Sequence, residues 1–180
     1  MRDFTKNISG VVLEFGEPTY AQSCNCTYEI IDINPANSRA NIHRDICDPT
    51  IGEEYGGRYD VILCTAVLQY AADPQRAVIN MRNMLKEGGS LILAQQALSR
   101  LDPGELGVLD RWRFTQHGIA FMMKDFEPLH IRHYGNVYAV CAYILGLPVE
   151  KVDIDKLAFA DPFHPVITVA HGKKKPASSG

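Results

Sequence analysis

Short apolar runs recur along the chain at Val11-Val12-Leu13, Ile30-Ile31-Asp32-Ile33, Ala40 to Ile46, Val61-Ile62-Leu63 and Leu91-Ile92-Leu93. Several are apolar at consecutive positions instead of alternating, so both faces of each strand must be covered. That pattern belongs to parallel sheets flanked by helices. Strands separated by crossovers of this kind read as βαβ units. The expected fold is therefore α/β, a Rossmann-like doubly wound and mainly parallel sheet with helices on both faces. Its strands should lie near 11–15, 28–33, 59–65 and 90–95.

The clearest helix spans 74–86. Asp73 is a natural N-cap and Pro74 suits the first turn, where its missing N–H costs nothing. Ala77, Val78, Met81, Met84 and Leu85 share one face, Lys86 complements the negative end of the dipole, and Gly88-Gly89 stops the helix. A second helix is expected over Thr115 to Lys124, a strand at Leu129 to Ile131, a helix at Val137 to Leu145 and a closing strand at Val166 to Ala170. The loop Gln96 to Asp110, with Pro103, Gly104 and Gly107, reads as a lid or insertion. With no repeat and no internal linker, residues 1–172 read as one domain and 173–180 as a flexible Lys/Ser/Gly tail.

Composition excludes several roles. A net charge of -3 argues against a nucleic-acid surface, and the one cationic run, Lys173 to Lys175, reads as a solvated end. The apolar runs are too short to cross a bilayer. The polar start, Met1 to Lys6, lacks the apolar stretch of a secretion signal, so a cytoplasmic protein is expected. Five cysteines fit neither a disulfide framework nor a zinc spacing, the histidines form no ligand motif, and no metal is expected.

In open α/β sheets, ligands bind at the carboxyl ends of the strands, near the switch in strand order. The first run ends with Glu14 and Gly16. The second ends in Asp32, an acceptor suited to the two hydroxyls of a ribose. The third ends in Asp45, placed to accept from an exocyclic adenine amine, and the fourth runs out at Cys64-Thr65. Together these ends outline a nucleoside site. Asp32 and Asp45 also suit turn formation, and Cys64 suits a small core position.

The series VVLEFGEPTY, YEIIDINP, IHRDICDP, YDVILCTAVLQYAADP and NMLKEGGSLIL resembles class I S-adenosylmethionine-dependent methyltransferases. More narrowly, DRWRFT at 110–115, Gly135-Asn136 and DPFHPVI resemble the small methyltransferase-like proteins found among bacterial polysaccharide biosynthesis genes. The resemblance covers roughly residues 10 to 172. It implies S-adenosylmethionine as cofactor, with Glu14 and Gly16 beside its methionine part and Tyr20 closing over it. Asp32 would bind the ribose, and Asp45 with Ile46 the adenine. Cys64, Thr65 and Leu68 would border the sulfonium, largely through backbone atoms. The chain departs from the family in its first loop, where Gly16 is followed by Glu17-Pro18-Thr19-Tyr20 instead of further glycines. The crossover from Phe15 to Tyr28 leaves room for one or two helical turns at most.

The function so implied is methyl transfer to a small-molecule or glycan-linked acceptor. It requires alignment, proton removal and exclusion of water, but no metal and no covalent intermediate. His117 is the histidine nominated as general base. Trp112 either lines a substrate pocket or anchors the segment Leu101 to Thr115, and Arg113 would offer hydrogen-bond donors to an oxygen-rich acceptor. The rival reading is a catalytically silent methyltransferase-like subunit that binds a nucleoside or a partner protein. A nicotinamide-dependent oxidoreductase would need phosphate-cradling glycines that the chain lacks.

Overall fold

The computed structural model describes residues 8–102 and 109–176. The chain runs through β1 (Val11–Phe15), β2 (Thr27–Asp32), β3 (Ile42–His43), α1 (Ile51–Glu54), β4 (Tyr59–Thr65), α2 (Pro74–Met84) and β5 (Leu85–Gln96). It continues through α3 (Gln116–Met122), β6 (Phe126–Tyr134), α4 (Val137–Ile144) and β7 (Ile167–Lys174). The strands form one seven-stranded sheet in the order β3-β2-β1-β4-β5-β7-β6. Pairing is parallel from β3 to β5, and β7 lies antiparallel between β5 and β6. This is the expected Rossmann-like, mainly parallel α/β sheet, with the switch in strand order between β1 and β4, but α1, α2 and α3 all pack on one face instead of covering both.

Strand β4 occupies the centre of the sheet because Ile62, Leu63 and Cys64 are buried in succession, which only a strand covered on both faces can satisfy. Helix α2 begins as its sequence dictates: Asp73 accepts from the Arg76 N–H at 2.9 Å and Pro74 opens the first turn. It ends earlier than the glycines suggest. Leu85 is already extended and fully buried opposite Tyr59, so sheet pairing ends the helix at Met84. Gly88 and Gly89 instead serve a bulge in β5, where the register jumps from Tyr59↔Leu85 to Val61↔Ser90. Gly88 has φ +72°, and a Cβ on Gly89 would lie 2.9 Å from the Lys86 carbonyl oxygen. Lys86 itself pairs with Asp60 at 2.7 Å.

The first two crossovers carry no α-helix. Between β1 and β2 there is only a 3₁₀ turn at Ala21–Ser23. Between β2 and β3 the backbone N–H groups are met by side chains instead: Asn34 by Asp32, Ala36 by Asn34 and Arg39 by Asn37. Turns driven by Asn and Asp compete with helix in this way. The third strand shrinks from the expected Ala40 to Ile46 to two residues, because Asp45 and Asp48 turn the chain by accepting from Cys47 and Thr50. At the other end, β7 extends through Lys174, beyond the boundary expected for the domain. Lys173 pairs with Ser90, while Lys174 donates to the Leu85 carbonyl at 2.9 Å and pairs with Glu87. Residues 177–180 of the expected tail lie outside the described residues, as do Pro103, Gly104 and Gly107.

Candidate active site

Two cavities open at the carboxyl edge of the sheet and meet at Ala66, the residue that lines both. The first, about 780 Å³, lies over the ends of β1, β2 and β4 and is lined by Gly16, Asp32, Asp45 and Ile46 among others. Gly16 sits at φ +76°, held by a 2.9 Å hydrogen bond from its N–H to the Ile31 carbonyl, and a Cβ there would meet nothing within 4 Å. The loop after β1 therefore leaves open space at the cavity wall. Asp32 is fixed through both oxygens: Oδ1 accepts from the Asn34 N–H at 2.9 Å, and Oδ2 from Asn37 Nδ2 at 2.7 Å. The same Asn37 amide donates to the Gly16 carbonyl at 2.7 Å, tying the ends of β1 and β2 together. Each carboxylate oxygen keeps acceptor capacity for a further donor.

Asp45 is oriented by accepting from Cys47 N–H at 2.8 Å. The loop that carries it is pinned from α2 by Asn80, which is buried and donates to the Ile46 and Asp48 carbonyls at 2.6 and 2.8 Å. Sequence reasoning passed over Asn80, although a polar residue among the apolar positions of α2 was the available signal. Glu17, the second acid of the first loop, forms an ion pair with Arg39.

The second cavity, about 970 Å³, lies over the ends of β4, β5 and β6 and the start of β7. Its polar lining includes Thr19, Tyr20, Thr65, Gln95, Gln96 and Tyr134, and no Lys, Arg, His, Asp or Glu is among its described lining residues. Thr65 Oγ1 is buried with no hydrogen-bond partner, so this wall presents an unmet hydroxyl. Tyr20 therefore faces this second cavity.

Glu14 plays a different part from the one its position suggests. It is buried, lines neither cavity, and accepts from the Tyr20 N–H at 3.1 Å and the Ala21 N–H at 2.8 Å. Burial pushes its carboxyl above the usual range, against the pull of these backbone donors. Its work is to hold the entry to the 3₁₀ turn at Ala21–Ser23 in the first loop. Cys64 and Leu68 are fully buried in the core and also line neither cavity. Burial pushes the Cys64 thiol far up, as expected for an inert core residue.

Three further nominations move away from the site. His117 is exposed near the start of α3 and lines neither cavity, so nothing brings it to the reacting region. The Trp112 indole donates to the Ala71 carbonyl at 2.8 Å, and the Arg111 and Trp112 N–H groups both reach the Gln69 carbonyl. Trp112 thus anchors its segment. Arg113 turns its fork on Asp110, at 2.5 and 2.7 Å, and on the Arg100 carbonyl at 2.7 Å. Those donors are spent within the protein, and Arg113 lines neither of the two cavities. Its neighbour Arg111 does, and so do Arg100 and Asp102. Among the described residues, no group of three or more His, Cys, Asp or Glu could hold a metal ion.

Residues 9–131 match the family model described as "Methyltransferase domain". Among curated proteins, the lovastatin diketide synthase mokB of Monascus pilosus is 40% identical over 82 residues, covering 45% of this chain and 3% of the synthase. The chain therefore spans only a small fraction of that relative's length. Among solved structures, a SAM dependent methyltransferase from Archaeoglobus fulgidus superposes with a TM-score of 0.62 at 12% identity, covering 92% of this chain and 86% of that one. The Haemonchus contortus phosphoethanolamine N-methyltransferase 2, solved with S-adenosyl-L-methionine, gives a TM-score of 0.63 at 12% identity, covering 97% and 51%. At such identity these superpositions speak to the fold, and the family rests on the model match: this chain belongs to the methyltransferase domain family.

Proposed function

We propose that the protein transfers the methyl group of S-adenosylmethionine to a small-molecule or carbohydrate-linked acceptor, in the manner of the polysaccharide-associated methyltransferase-like proteins its motifs resemble. The observation that carries this reading is the pair of cavities that share Ala66 in their walls, one carrying Asp32 and Asp45 and the other uncharged in its described lining. S-adenosylmethionine, when bound, supplies a methyl group already activated on a sulfonium. Asp32 would accept from the ribose hydroxyls with charge-assisted strength. Asp45 would accept from the adenine amine while Ile46 packs on the ring. Gly16 would let backbone approach the methionine part, and Thr65 would offer its unmet hydroxyl at the reacting end. Tyr20 and Tyr134 would flank the acceptor and exclude water. The five free cysteines suit a cytoplasmic setting.

One observation favours the rival, a silent nucleoside-binding subunit: the described lining of the second cavity has no carboxylate or imidazole to remove a proton. Incubation with methyl-labelled S-adenosylmethionine and a small-molecule extract separates the two. Label appearing in an acceptor supports transfer. Binding of S-adenosylhomocysteine without transfer of label supports the rival.

A further inference from the structure

Strand β5 ends in a polar side chain that the sheet itself does not need. Gln95 is fully buried, and its amide spans the turn that leaves β4: Nε2 donates to the Cys64 carbonyl at 3.0 Å, and Oε1 accepts from the Leu68 N–H at 3.2 Å. Between these two anchors lie Thr65, Ala66 and Val67. Ala66 has φ +54° and is the only non-glycine residue in the left-handed region among the described residues. An L-residue with a Cβ adopts that conformation only when its surroundings impose it. Its own N–H is held by the Ala94 carbonyl at 2.8 Å, on the same strand as Gln95. This constrained residue is also the one shared by both cavities.

We infer that Gln95 is a positioning residue for methyl transfer, bracing Ala66 in the left-handed turn that forms the junction where donor and acceptor meet. The inference rests on the proposed function, because that reading makes the junction the place of reaction. An amide suits the task, since the brace needs one donor and one acceptor on a single planar group, reaching two backbone groups four residues apart. Leucine or methionine would leave both the Cys64 carbonyl and the Leu68 N–H buried without this partner. Glutamate would keep the acceptor and lose the donor until it is protonated.

The test is a double-mutant cycle read by calorimetric titration with S-adenosylhomocysteine. Gln95→Met keeps length and volume but removes the brace, and affinity should fall about tenfold. Ala66→Gly supplies the background in which the turn no longer depends on a brace, and its own affinity is the reference for the second edge of the cycle. The two together should recover most of the loss, because glycine enters the left-handed region without a brace. A purely structural role for Gln95 predicts no such rescue. Gln95→Glu gives an independent reading: its affinity relative to the native protein should rise as pH falls and the carboxyl gains a donor hydrogen. Native affinity in Gln95→Met, or a double variant as weak as Gln95→Met, would overturn the inference while leaving the donor assignment standing. A native protein that does not bind would overturn both.

Discussion

On one face of the sheet, residues from α1, α2 and α3 pack against β4 and β5 in a single cluster that includes Ile51, Ala77, Val78, Met81, Met84, Ile119 and Met122. On the other face, the buried cluster holds only Ile8, Val12, Ala21, Leu63, Ile92, Ala94 and Val169, with Tyr20, Cys24 and Cys26 packed beside it. Among the described residues, no α-helix contributes to that second cluster. The contrast follows from the first two crossovers, which in a doubly wound sheet would supply the missing helices and here contain one 3₁₀ turn and a chain of Asn and Asp turns. Stability on the first face comes from apolar burial. Order on the second comes from individual polar contacts, those of Glu14 and Asn37 foremost, and these contacts shape the candidate site.

Five substitutions probe the difference between the two faces and the site it shapes. The largest effect belongs to the helix-covered face: Met81→Ala should cost about 2–5 kcal/mol in urea unfolding, and Ile92→Ala on the thin face should fall near the bottom of that range. Equal costs would show that the thin face is packed as tightly as the other. Next, Arg113→Lys should cost about 1–3 kcal/mol, because lysine cannot keep the paired contacts with Asp110, whose side chain is 1% exposed. The Arg113 fork holds the Asp110 carboxyl below its ordinary value. That contribution is present above the unfolded-state value and lost as pH falls through the depressed one, so the native and variant stability curves should converge in acid.

Asp32→Asn should leave thermal stability nearly unchanged but weaken S-adenosylhomocysteine binding about tenfold, by removing charge from the hydrogen bonds to the ribose. The smallest effect is expected for Glu14→Gln, which keeps an acceptor for the Tyr20 and Ala21 N–H groups. Burial raises the Glu14 carboxyl above 4.5, so the native protein should lose stability as pH rises from that value through the raised one. The variant should lack this slope, and its stability at neutral pH should change by less than about 1 kcal/mol.

Much of this was legible in the chain. Consecutive burial at Ile62, Leu63 and Cys64 announced the central strand, and Asp73-Pro74 announced the start of α2. Asp32 and Asp45 line one cavity because strand ends gather at the carboxyl edge whatever the loops do. The errors came where a side chain's partner was not fixed by strand order. Arg113 looked like a free donor, although Asp110 three residues earlier was the signal that its fork would close locally. Glu14 stood at a cavity strand yet turned to the loop seven residues ahead, where it holds the entry to the 3₁₀ turn. Asn80 and Gln95 work across separations of 27 residues or more, and no local pattern encodes such contacts. The glycines at 88 and 89 serve a bulge and do not stop the helix, because burial of Leu85 against Tyr59 outweighs two further helical residues.

The central claim is that Asp32 and Asp45 form the adenosine end of a donor site on the native protein. Calorimetric titration with S-adenosylhomocysteine of the native protein, Asp32→Asn and Asp45→Asn tests it directly. Saturable binding to the native protein, weakened about tenfold in each variant, is the predicted result. Absence of binding at millimolar ligand, or native affinity in both variants, would contradict it.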